Sequence, residues 1–192
     1  MKKQILALVP LVFCFAAGIE AVPITYVAYL GDFENPANGT TGVGVATVVF
    51  DSFMHTMEVD ASFQNLIGTV TASHIHCCTN PPGNVGVATQ VPTFPGFPLG
   101  VTSGEYHPDP FNTGLDTTWN PAFITANGGT AAGAELRLAA GLAAGQAYFN
   151  IHTTRNGGGE IRGFLRVPEP GTLGLIVLGL GTLAAATRKR RA

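Results

Sequence analysis

Residues 74–78, His-Ile-His-Cys-Cys, gather metal-binding and redox-active side chains within five positions of a 192-residue chain. Two histidines at i and i+2 of a strand have Cα atoms roughly 6–7 Å apart and project to the same side. Both imidazoles of such a pair reach one ion of copper or zinc. A third nitrogen completes the set, and His152, in Ala-Tyr-Phe-Asn-Ile-His-Thr, is the natural candidate. Histidines that only hydrogen-bond loop backbone leave the same trace in a sequence. The pattern alone keeps both roles open.

Alternation along strands tests whether the three rings can meet. Phe149 and Ile151 share one face of their segment, which leaves Tyr148, Asn150 and His152 on the other. In Gly-Glu-Ile-Arg-Gly-Phe-Leu-Arg-Val, Ile161, Leu165 and Val167 oppose Glu160, Arg162 and Arg166; Ile75 likewise faces away from His74 and His76. If the three isoleucines mark the core, His74, His76, His152 and Arg162 lie on outer faces. Val70 and Ala72 share parity with His74, so this arrangement needs a bulge near Ser73. Glu160 and Arg162 flank Ile161 on one face, which predicts an ion pair or hydrogen-bonded brace across the closing hairpin.

The elements that must position these residues are strands. Ile24–Phe33 and Val43–Asp51 are rich in aromatic and β-branched residues and are separated by Pro36, Asn38 and Gly39. Met57–Phe63 alternates cleanly, with Met57, Val59, Ala61 and Phe63 against Glu58, Asp60 and Ser62. Ile67–His76 predicts a fourth strand and Val85–Val91 a fifth. Prolines and glycines between Pro92 and Asn120 predict a long excursion with one hairpin at most. Gly133–Gly145 is the one predicted helix. Gln146–Thr154 and Gly159–Val167 predict two strands joined by a glycine-rich turn.

Both ends of the chain read as addresses. Lys2 and Lys3 precede an apolar stretch from Ile5 to Ala17 and small residues at Gly18 and Ala21, the pattern of a secretory signal peptide over 1–21. At the other end, Pro168-Glu169-Pro170 precedes an apolar run from Leu173 to Ala186 and a basic cluster from Arg188 to Arg191. That run predicts a short transmembrane helix with its basic end in the cytoplasm. The order over 168–192 resembles the PEP-CTERM sorting signal. The resemblance implies recognition by an exosortase, transient anchoring in the inner membrane, cleavage near Pro168–Gly171 and delivery to the cell surface or extracellular space.

Between the addresses, residues 22–167 make one domain. Four arginines stand there against ten acids, a balance of minus six, so nucleic acid is not an expected partner. Gly39–Gly44 lacks the lysine and following helix of a phosphate cradle. Asp32, Asp51, Asp60 and Asp116 are too scattered to form a hydrolytic pair, which leans away from an enzyme. Cys14 leaves with the signal peptide, so only Cys77 and Cys78 meet an oxidising compartment. They can close a vicinal disulfide, pair between chains, stay buried, or bring one thiolate to a soft metal beside His76.

Tyr26-Val-Ala-Tyr-Leu-Gly-Asp through Val43–Asp51, then Thr71-Ala-Ser-His-Ile-His, then Leu142 through Leu165 resemble, in order, the segments of the CHRD domain, named after chordin. The resemblance implies an all-β, antiparallel Greek-key β-sandwich, immunoglobulin-like or superoxide-dismutase-like, with one short helix. It also implies a secreted binding or structural module, with an extracellular polysaccharide or protein as partner. A second likeness, to Cu/Zn superoxide dismutase, implies His74, His76 and His152 as copper ligands and Arg162 as an anion-guiding residue. The zinc-binding run of that family is missing here, since only His107 follows His-Ile-His-Cys-Cys in the next loop.

Overall fold

A computed structural model describes residues 22–32 and 38–169. The predicted signal helix and the predicted transmembrane helix lie outside these residues; among the described residues no helix is long and apolar enough to cross a membrane. The chain is built mainly of strands in two sheets. Strands β1 (Ile24–Leu30), β2 (Val43–Asp51) and β3 (Thr56–Gln64) form an antiparallel meander. The alternation read in β3 is what the fold uses: Met57, Val59, Ala61 and Phe63 are buried, while Glu58 and Ser62 face solvent. The β2–β3 turn closes where Asp51 Oδ1 accepts the backbone N–H groups of Phe53 and Met54, both at 2.9 Å.

The second sheet has the order β4 (Val70–Cys77), β7 (Ala147–Thr153), β8 (Ile161–Phe164). Ile75, Phe149, Ile151 and Ile161 meet Tyr26, Leu30, Val48, Phe50 and Val59 of the first sheet in one apolar cluster. The sheets also join along a seam between β1 and β8. Val27 and Arg166 exchange backbone hydrogen bonds of 2.8 and 3.0 Å, and Gly31 and Arg162 exchange bonds of 3.1 and 3.2 Å. An all-β sandwich is thus closed at one side.

The middle of the chain departs from expectation along residues 85–91, while the excursion stays within it. The excursion makes no hairpin of its own; β5 (Gly104–Tyr106) and β6 (Phe111–Asn112) both pair with β3 and extend the first sheet. Residues 85–91 are not a regular strand, although they run along the open edge of β4. The reason is chemical: Ile75 and Ser73 give their N–H groups to the hydroxyls of Thr89 (3.0 Å) and Thr93 (2.9 Å), not to a continuous carbonyl ladder. Edge groups are satisfied without a strand. The predicted helix is α2 (Ala131–Ala143), capped by Thr130 Oγ1, which accepts from Gly133 N–H at 3.1 Å, and it starts two residues earlier than expected. An unpredicted helix, α1 (Pro121–Ala126), begins where Asn120 Oδ1 accepts from Ala122 N–H and Pro121 takes the first position.

Candidate metal centre

The second sheet brings the three histidines together. Pairing of β4 with β7 sets His74 opposite Asn150, His76 opposite Tyr148 and Ala72 opposite His152. The required bulge lies between Val70 and Ala72, slightly ahead of Ser73, and it lets Val70 point into the core while His74 points away. The isoleucines do mark the core side. The opposite side, however, is not open to water: His74 and His76 are only 5% and 7% exposed. Residues 82–92 cross over it as a cover, because Arg162 of β8 donates from Nη2 to the Pro82 carbonyl at 2.8 Å and from Nη1 to Asn84 Oδ1. The Arg162 guanidinium also lies over the Tyr148 ring, 5.0 Å from its centre.

Each histidine commits one nitrogen to a carbonyl. His76 Nδ1–H donates to Val85 O (2.8 Å), His152 Nδ1–H to Gly157 O (2.8 Å) and His74 Nε2–H to Pro92 O (2.7 Å). With the tautomers so assigned, Nε2 of His76, Nε2 of His152 and Nδ1 of His74 carry lone pairs. His76 Nε2 and His152 Nε2 are 3.3 Å apart, and His74 Nδ1 is buried with no hydrogen-bond partner. One nitrogen from each ring lies within 4.8 Å of the other two. The sequence left metal ligation and backbone bonding as alternatives, yet each ring has one nitrogen for each. Carbonyl partners on the far nitrogen are what orient metal-ligating histidines.

Burial is also the main cause that pushes His74 down to about 4, with the nearby His152 adding to it and the Pro92 carbonyl opposing it. His76 is lowered to about 4 by burial, against the Val85 carbonyl, with further lowering from His152, His74 and Arg162. His152 is lowered by burial against the Gly157 carbonyl. The rings are therefore neutral at pH 7, as nitrogen ligation requires. Below pH 6.5 the unfolded chain takes up protons that the folded site refuses, so these histidines lend stability above that pH and lose it as pH falls toward 4. The chain stripped of metal is expected to show a urea midpoint that falls as pH is lowered from 6.5 toward 4.

The remaining candidates are placed differently. Glu160 and Arg162 form no common brace. The Glu160 carboxylate turns to the core side, where Thr153 lies, while Arg162 faces Asn150 on the histidine side. Cys77 and Cys78 are joined to each other by a disulfide and lie against α2, near the Arg137 carbonyl; Cys77 shares the core-facing side of Ile75 and so points away from the histidines. His107 pairs with Asp60 at 2.7 Å on the first sheet and stands apart from the trio. Pro168 and Glu169 are exposed, and Pro170 lies outside the described residues. Sequence reasoning missed the site's two other polar groups, Asn150 and Tyr148, the latter stacked on His76 at 4.8 Å. Their parity with His152 was the available signal.

The described residues thus form a two-sheet domain with one apolar core and a covered cluster of neutral histidines. The chain belongs to the CHRD domain family, which matches residues 27–165, from the second half of β1 to the end of the closing hairpin. Residues 166–191 match the PEP-CTERM protein-sorting motif, so this is an exported protein that passes the membrane and is recognised by an exosortase-type sorting enzyme. No curated protein and no solved structure matches the chain.

Proposed function

We propose that this exported CHRD domain holds one copper or zinc ion through His74 Nδ1, His76 Nε2 and His152 Nε2, and serves at the cell surface or in the extracellular matrix as a binding module. The observation that carries the metal is the convergence of three neutral nitrogens, one of them buried and unpartnered, each ring aimed by a carbonyl on its far side. Neutral imidazoles suit copper and zinc better than calcium or magnesium, which take oxygen ligands. A covered site suits retention of an ion more than turnover at it, which favours a structural or binding role over dismutase chemistry. The topology, with β1 joined to β8, accords with a Greek-key sandwich of the superoxide-dismutase kind, and an extracellular polysaccharide or protein is the partner class proposed.

Metal analysis of the purified chain, made without a histidine tag, tests this: close to one equivalent of copper or zinc per chain is expected, and a chain that neither carries nor takes up either ion overturns it. One observation favours a second reading. The same three rings tie the carbonyls of Pro92, Val85 and Gly157, so they can act purely as braces for the cover and the β7–β8 turn. Braces predict an identical melting temperature with and without added metal.

A further inference from the structure

Asn150 sits at the centre of the cluster, opposite His74 on β4 and opposite Arg162 on β8, and is fully buried. Its Nδ2 donates to the Gly158 carbonyl at 3.1 Å and lies 3.5 Å from His76 Nε2 and 3.4 Å from His152 Nε2. Its Oδ1 is buried and has no hydrogen-bond partner. Gly159, at φ 117°, makes room for this group: a side chain at that position would occupy the space of the carboxamide itself. A buried amide with one end satisfied and the other orphaned is costly, and such a group in a native fold calls for an explanation.

A carboxamide has a donor end and an acceptor end of nearly equal size. The donor end faces the ring lone pairs, which is the favourable orientation toward acceptors. A cation among those nitrogens reverses the preference, because it repels the N–H dipole and attracts the carbonyl oxygen. A half-turn of the amide plane then carries Oδ1 to where Nδ2 stands and gives up the bond to the Gly158 carbonyl, a loss that the attraction of the oxygen to the ion has to exceed. We infer that Asn150 is the fourth ligand of the site, giving its side-chain oxygen to a divalent ion; this rests on the metal-binding reading of the three histidines. An amide oxygen is a hard ligand, so it stabilises Cu(II) or Zn(II), whereas Cu(I) is content with three imidazoles. Asn150 thereby sets the preference of the site between the two copper states.

The test compares the full chain, without a histidine tag, with Asn150→Leu and Asn150→Asp, using copper as the probe. Cu(II) and Cu(I) affinities are measured by competition with chelators selective for each state, and the Cu(II) form by electron paramagnetic resonance. Asn150→Leu is expected to weaken Cu(II) by about 10- to 100-fold and to leave Cu(I) nearly unchanged. That selective loss raises the reduction potential by about 59 mV for each tenfold. Asn150→Asp keeps an oxygen in place and is expected to retain tight Cu(II) binding with an altered spectrum. Equal Cu(II) affinity and an unchanged spectrum in Asn150→Leu overturn the inference, and so does an equal weakening of both copper states, which is the mark of a packing role. Should the leucine chain fail to fold, an Asn150→Asp spectrum identical to that of the unsubstituted chain overturns it. Failure of the unsubstituted chain to bind copper or zinc is a different result, seen before any substitution, and removes the metal centre itself.

Discussion

Alanine at both His74 and His152 is expected to lower the affinity for copper or zinc at least about 1,000-fold, since losing even an outer partner of a metal-bound histidine costs roughly 10- to 100-fold. Only His76 Nε2 and Asn150 would remain at the convergence point. The two rings come from different strands, so no single neighbour can replace both. The same variant should lose much of its acid sensitivity between pH 6.5 and 4, because two of the three buried rings that resist protonation are gone. Metal content after dialysis and a chelator-competition titration check the first part, and urea midpoints across that pH range the second. Stoichiometric metal retained by the double variant would place the ion elsewhere.

Glu160→Ala is expected to be the most damaging single change to the fold, on the order of 4 kcal/mol. Its carboxylate is fully buried and accepts four hydrogen bonds, from Thr40 Oγ1 (2.6 Å), Ile67 N–H (2.6 Å), Thr153 Oγ1 (2.7 Å) and Gly68 N–H (2.9 Å). Those donors belong to the approach to β2, the β3–β4 connection and the end of β7, so one side chain ties three parts of the chain that are remote in sequence. Removing it leaves four donors without an acceptor. Burial alone would raise the carboxyl above its usual value, but the four hydrogen bonds outweigh it and the net direction is down. The unfolded carboxylate takes up its proton near 4.5 and the folded one at lower pH. Its contribution is thus complete above pH 4.5 and is lost as pH falls through the folded value. Urea unfolding at pH 7 and pH 3 checks this: the gap between Glu160→Ala and the unsubstituted chain should shrink at pH 3, and a gap of equal size at both would refute the charged role.

Side-chain alternation carried most of what could be read in advance. Met57 through Phe63, the closing hairpin and the opposed isoleucines gave the strands and the correct side for each histidine, because period two is a local property. What lies over a face is not local. Residues 82–92 reach the histidines from 55 or more positions before β7, and nothing in Ala-Tyr-Phe-Asn-Ile-His-Thr shows that its outer side is covered. The supposed Glu160–Arg162 brace failed for a related reason. Glu160 precedes the strand proper, so parity counted from Ile161 assigns it to the wrong side. Thr89 escaped notice because a hydroxyl standing in for a ladder carbonyl looks, in a sequence, like an ordinary strand threonine, and Thr93 because it follows Pro92 in the excursion.

The seam between β1 and β8 sets where the sorting motif meets the folded domain. Among the described residues, the last backbone hydrogen bonds of the chain belong to Arg166, whose N–H and carbonyl both engage Val27. The sorting peptide begins at that very rung, and the Pro-Glu-Pro triplet starts two residues beyond it. Cleavage within Pro168–Gly171, the stretch expected from the sorting motif, would leave the Val27–Arg166 rung with the sandwich.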